Sequence, residues 1–175
     1  ASIVKGWTVG GSIQSNDPDV LKAIKRSNIS SAAYKELTDF GNKLGRKTNF
    51  EVILGLPQDS KQKHYESLRF GIDNNVKHMR MYQAVLLPGT EMASKSDREK
   101  YGFKIKFRTI PGCIGNYDIM GKKHSVVEFE EVIVGSNTLS ETEYLDCRIM
   151  NLFIEAFYNN YIFEEVYAML RTIGI

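Results

Sequence analysis

The first ninety residues alternate between stretches that suit a strand and stretches that suit a helix, and this order constrains the fold more than any other feature of the chain. Residues Ile3 to Gln14 are β-branched, aromatic and glycine-rich, and Asn16-Asp17-Pro18 then offers a helix start with proline in the first turn. Val20, Leu21 and Ile24 share one face of that short helix, with Lys22, Lys25 and Arg26 around the rest. Ser30 is placed to cap a second helix, on which Ala33, Leu37, Phe40 and Leu44 recur at helical spacing before Gly45 stops it. Phe50 to Leu56 is apolar except for Glu51 and Gly55, the composition expected of a strand covered on both faces. A third helix follows with Tyr65, Leu68, Ile72 and Val76 on its inner face, and Lys77 to Leu87 reads as a third strand. Strands joined through helices need crossover connections, so the three are expected to lie parallel in an α/β fold.

Beyond Thr90 the pattern changes. Glu91 to Lys100 is polar and reads as a short surface helix, while Phe103 to Arg108 alternates with the period of a half-buried strand. Pro111 to Gly121 reads as a glycine-rich loop, followed by valines and acids from Val126 to Val134. Ser140 and Glu143 form a capping box that opens a long helical region. Leu145, Ile149, Leu152 and Ala156 make one stripe, Asn159-Asn160 interrupts it, and Ile162, Val166, Met169 and Ile173 resume it. No internal repeat or linker is visible, so residues 96–175 are expected to be an extension, with an edge strand and long helices, packed on the same domain as residues 1–95.

Bulk properties exclude several classes. The 175 residues carry 23 basic and 21 acidic side chains, a net charge of +2, so no overall field draws the chain to nucleic acid or anionic lipid. Apolar runs fall far short of the roughly 20 residues of a membrane helix, and Ala1 is not followed by a signal-peptide pattern. Two cysteines, Cys113 and Cys147, form no disulfide framework, so the expected location is the cytoplasm.

Three turns close the three strand-like runs: Ser12-Ile13-Gln14-Ser15, Gly55-Leu56-Pro57-Gln58-Asp59-Ser60 and Leu86-Leu87-Pro88-Gly89-Thr90. Parallel α/β sheets bind ligands at the carboxyl ends of their strands, so these turns are candidates for one shared site. Gln14 supplies an amide, Ser15 a hydroxyl, and the two glycine–proline turns supply exposed backbone groups, a set suited to a nucleoside or a similar polar small molecule. Each turn is also ordinary turn and capping chemistry when taken singly. The chain has no nucleophile elbow, P-loop, dinucleotide glycine fingerprint or zinc-binding His-Glu-x-x-His helix.

Gly11-Ser12-Ile13-Gln14-Ser15 with Asp17-Pro18 and Val20 to Arg26, then Glu51 to Pro57, then Leu86 to Met92, resembles the second half of a radical S-adenosylmethionine (radical SAM) core, of the kind that carries a separate cobalamin-binding domain. The resemblance implies a partial six-unit (β/α) barrel, of which these segments would supply the fourth to sixth strands. It implies that Ser12, Gln14 and Ser15 lie near the ribose or amino-acid end of SAM, with Arg26 reaching in from behind. Ile53, Gly55, Leu56, Leu87 and Pro88 would form the adenine side. It also implies an iron–sulfur cluster and cobalamin in the parent enzyme, a small-molecule substrate, and reductive cleavage of SAM or methyl transfer. The Cys-x3-Cys-x2-Cys that ligates such a cluster is absent from these 175 residues, and so are three strands. The chain alone is therefore expected to be inactive, and its open edges to be covered by the other half of the barrel or by a second copy. The alternative is a stand-alone α/β binding or protein-interaction module.

Other residues carry weaker signals. His64, His78 and His124 are scattered without carboxylates at ligand spacing and read as ordinary histidines. Glu128, Glu130 and Glu131 read as a solvated face, and Lys104, Lys106 and Arg108 as the polar side of a strand. Tyr117 and Asp118 are loop residues that could touch substrate.

Overall fold

The computed structural model describes residues 8–174, so the part of the first strand-like run before residue 8 lies outside the described residues. The first sheet has three parallel strands in the order β1 (Val9–Gln14), β2 (Thr48–Leu54) and β3 (His78–Gln83). α1 (Pro18–Ala23) and α2 (Ser31–Lys43) join the first two strands, and α3 (Lys61–Asp73) joins the second pair. Each helix starts as the sequence dictates: the side chains of Asp17, Ser30 and Ser60 accept the first free amides of α1, α2 and α3. Gly10 lets β1 and β2 pair, because a Cβ there would collide with the backbone of Asn49.

Only one face of this sheet is sealed. Thr48, Phe50, Val52 and Leu54 of β2 are buried, whereas Asn49, Glu51 and Ile53 between them are half-buried, which corrects the expectation of a strand covered on both faces. The sealed face packs Ile13, Phe50, Val52 and Met79 against Tyr34 of α2 and Leu68 of α3. Side chains of this size contribute about 1.5–3 kcal/mol each when fully buried.

The third strand is shorter than expected. At Ala84 the chain leaves the parallel sheet, and β4 (Val85–Leu86) pairs antiparallel with β6 (Lys122–Gly135), which pairs in turn with β5 (Lys104–Ile119). Pro111 to Gly121 is therefore not a loop. β5 runs through it with an irregularity between Thr109 and Ile114, and Met120-Gly121, both at positive φ, make the two-residue hairpin turn. The pattern hid this because Pro111-Gly112 breaks the strand alternation at the bulge. Between β4 and β5 the chain forms a short 3-10 turn at Glu91–Ala93 and α4 (Lys95–Tyr101), in agreement with the expected surface helix.

The capping box of Ser140 and Glu143 opens α5 (Glu141–Phe153) as expected. The buried face of α5 is Tyr144, Cys147 and Asn151, while Leu145 and Leu152 stay 59% and 67% exposed, so the expected apolar stripe is the outward one. α2 behaves likewise, burying Tyr34, Thr38 and Gly41 and leaving Phe40 and Leu44 exposed. A π-turn at Ile154–Tyr158 breaks the C-terminal helix before α6 (Glu164–Thr172), whose Val166 and Met169 are exposed too. No helix among the described residues is long and apolar enough to cross a membrane.

The C-terminal segment seals the outer edge of β3. Buried Asn159 imitates a neighbouring strand: its Oδ1 accepts from Met79 N at 2.9 Å and its Nδ2 donates to Met79 O at 2.8 Å. Tyr158 and Tyr161 donate to the carbonyls of Val76 and Lys77. An unpaired sheet edge invites aggregation, and each buried group left unbonded costs about 1–3 kcal/mol. Asn159→Ala is expected to lower unfolding free energy by about 2–4 kcal/mol in a urea titration, while exposed Asn160→Ala changes it by less than about 1 kcal/mol.

Candidate functional site

The half-open face of the parallel sheet is ordered in rungs. Gly10, Asn49 and His78 stand side by side, then Ser12, Glu51 and Arg80, then Ile53 and Tyr82. Gln14 ends β1 at a positive φ of 60°, past an irregularity that shifts it opposite Val52. The sequence signal for this polar face was Glu51, the one charge in an otherwise apolar strand; His78, Arg80 and Tyr82 gave no separate signal.

Arg26 reaches the end of β1. Its guanidinium donates to the Ser12 carbonyl and its Nε donates to Asn28 Oδ1 at 3.2 Å. Asn28, which the sequence did not point out, clamps the strand end by donating to the carbonyls of Ile13 and Ser15, both at 3.0 Å. The Ser15 hydroxyl is buried and accepts the amide of Asp17, so it is engaged in the turn. Asp17 holds α1 down through Lys63, at 2.9 Å. Burial raises its pKa, but the Lys63 ammonium and two backbone amides overcome that and keep it below the usual carboxylate range.

At the end of β2, Gly55 takes a φ of 86° and is buried together with Leu56 and Pro57. Leu56 belongs to one apolar cluster with Val20 of α1, Ala84, Leu86 and Ile133, and Ile53 packs against it. The structure thus brings Ser12, Gln14, Arg26, Ile53, Gly55 and Leu56 to one end of the sheet. Leu87 and Pro88 follow β4 instead and are exposed; with Phe107, Phe129 and Arg98 they line a groove of about 750 Å³. The end of α1 is tied to the turn after Pro88 by Lys25 and Glu91, at 2.7 Å.

Other candidates fall outside this end. Tyr117, Asp118 and His124 sit near the hairpin tip, Arg108 pairs with Glu130, and Arg98 pairs with Glu131. The residues present do not suit an iron–sulfur cluster. Cys147 is fully buried on α5 with its thiol pushed by burial up to about 12, Cys113 lies on the hairpin, and no group of three or more potential metal ligands occurs among the described residues. At pH 8, iodoacetamide is expected to modify Cys113 in the folded protein and Cys147 only after unfolding, as read by peptide mass.

Two buried titratable groups flank the loop after β2. Burial pushes Asp59 up to about 6, although its carboxylate accepts the amides of Gly55 and Ser60, both at 2.9 Å. Burial pushes His64 down to about 4, and its Nε2 donates to Asn151 Oδ1 at 2.9 Å. Their linkages oppose each other. The raised Asp59 favours the folded state below its ordinary value of 3.8, and that advantage disappears as pH rises through about 6. The depressed His64 favours it above 6.5, and that advantage disappears as pH falls through about 4. Each is worth about 3 kcal/mol over its window. Relative to wild type, His64→Gln is expected to lose stability as pH rises from 4 to 6, and Asp59→Asn as pH falls from 6.5 to 4, in urea titrations across that range.

The parallel sheet with its crossover helices defines an α/β protein, a class whose ligands bind outside the carboxyl ends of the strands. Sequence comparison gives the particular kin. The chain is 30% identical over 152 residues to 2-(S-pantetheinyl)-carbapenam-3-carboxylate methyltransferase of Streptantibioticus cattleyicolor, covering 84% of this chain and 21% of that protein. It is 34% identical over 116 residues to the cobalamin-dependent radical SAM methyltransferase TokK of Streptomyces tokunonensis, covering 63% and 16%. The chain is thus similar to two curated methyltransferases, one of them a cobalamin-dependent radical SAM enzyme, and spans about a fifth of their length. No family model matches it. Among solved structures, Escherichia coli coproporphyrinogen III oxidase (HemN), a radical SAM enzyme, aligns over 51% of this chain and 22% of its own with 18% identity and a TM-score of 0.45, too slight a likeness to fix the fold.

Proposed function

We propose that this chain supplies part of the SAM and substrate walls of a cobalamin-dependent radical SAM methyltransferase. Residues 1–95 contribute strands four to six of its partial (β/α) barrel, and residues 96–175 a C-terminal extension. The observation that carries the reading is the convergence of Ser12, Gln14 and the Arg26 guanidinium at the end of β1.

In this reading Ser12, Gln14 and Arg26 bind the ribose and amino-acid part of SAM, and Ser15 shapes the turn. Ile53, Gly55 and Leu56 flank the adenine, with Leu87 and Pro88 at the rim. When bound, the iron–sulfur cluster supplies the electron that cleaves SAM, and cobalamin supplies the methyl carrier. Neither is ligated by these residues, so the chain is inert without the remainder of the barrel. The exposure of Phe40 and Leu44 on α2 supports a reading in which further chain packs on that flank. A cytoplasmic location accords with the reduced thiols and the cluster.

SAM titrated calorimetrically into the full-length protein, after cluster reconstitution, tests this. Arg26→Ala and Gln14→Gly are each expected to weaken binding by about tenfold or more, some 1.4 kcal/mol. Glycine suits the positive φ at position 14, so loss there reports the amide rather than misfolding. Absence of SAM binding, or unchanged affinity in both variants, overturns the proposal.

A further inference from the structure

Parallel sheets are normally covered by apolar side chains on both faces, because helices pack on each. The open face of this sheet instead presents Ser12, Asn49, Glu51, His78, Arg80 and Tyr82, with Ile53 as its one large apolar side chain. A polar face on a buried sheet type is stable when it borders a water-filled or ligand-filled cavity.

The middle rung concentrates the charge. Ser12, Glu51 and Arg80 are register partners on adjacent strands, so about 10 Å separates the outer two along the hydrogen-bonding direction. Arg80 Nη1 lies 3.5 Å from Glu51 Oε1, a single loose contact rather than a two-pronged pair. The Arg80 side chain keeps 51% of its surface and that of Glu51 29%. One edge of the guanidinium is therefore free to bind, and a planar fork fits a carboxylate with two parallel bonds. Glu51 close beside it repels a dianion and accepts from a donor, so a phosphate monoester fits poorly and a carboxylate carrying a nearby N–H or O–H fits well.

We infer that the Glu51–Arg80 pair binds the carboxylate end of a small substrate, Arg80 taking the carboxylate and Glu51 a neighbouring N–H or O–H. This rests on reading the open face as the ligand side and deepens it, since SAM is assigned to Ser12, Gln14 and Arg26 on the first strand's side and the substrate to the charged pair on the two strands beside it. Arg80 and Glu51 are here specificity residues.

The test uses N-acetylglycine as probe, with N-acetylglycinamide and inorganic phosphate as comparisons, followed by amide shifts of the ¹⁵N-labelled protein saturated with SAM. The expected result is a saturable shift at Glu51 and Arg80 with N-acetylglycine and binding at least fivefold weaker for the amide and for phosphate. Arg80→Gln is expected to abolish the preference for the carboxylate, and Glu51→Gln to narrow the gap between N-acetylglycine and phosphate. Equal binding of acid and amide, tighter binding of phosphate, shifts confined to other strands, or an unchanged preference in Arg80→Gln overturns the inference. SAM binding that persists while the acid shows no preference refutes the charged pair alone; loss of SAM binding refutes the reading beneath it.

Discussion

Ala84 donates its amide to the Leu54 carbonyl at 2.8 Å and accepts the Ile133 amide at 3.0 Å. These two backbone bonds join the parallel sheet to the hairpin sheet, and the arrangement of the candidate site follows from them. The chain turns aside at Ala84, so the ends of β1 and β2 stay side by side while Leu87 and Pro88 move to a groove against the hairpin. The side chains around the junction, Val20, Leu56, Leu86 and Ile133, close it with apolar contact. A buried backbone junction of this kind is satisfied by strand pairing on both sides, which is why a residue as small as alanine suffices there.

The division of labour between the two faces of the parallel sheet governs the chemistry available. One face holds the apolar core against α2 and α3, and the other keeps its polar row beside the strand ends. Asn159 completes the sheet from the far edge by pairing with Met79 as a strand would. The C-terminal segment therefore protects the edge that the parallel strands leave unpaired at β3. Apolar side chains of α2, α5 and α6, Phe40, Leu152 and Met169 among them, remain exposed.

Local signals were legible wherever a single residue has only one good use. Asp17, Ser30, Ser60 and Ser140 begin helices because their short side chains satisfy free amides, and each does so. The resemblance singled out Gln14 and Arg26, and the structure has both at the end of β1. The stripes of α2 and α5 misled because apolar periodicity names a face without saying what lies against it. Tyr34, Thr38 and Gly41 suit the close approach to the sheet better than Phe40 does, and Tyr144, Cys147 and Asn151 do so on α5. Asn28 and Asn159 were illegible because their partners, the carbonyls of Ile13 and Ser15 and the backbone of Met79, are defined only by the fold.

The sequence by itself determined the order of strands and helices through residue 83, the caps that start the helices, and the kinship carried by the three turns. These are local properties, set by dihedral preference, by capping and by short motifs. Tertiary structure alone decided that one sheet face would stay polar, that β4 would leave for the hairpin, and that Ser12, Glu51 and Arg80 would share a rung. Such facts depend on register and on which surface of an element finds a partner, and contacts between residues tens of positions apart settle both.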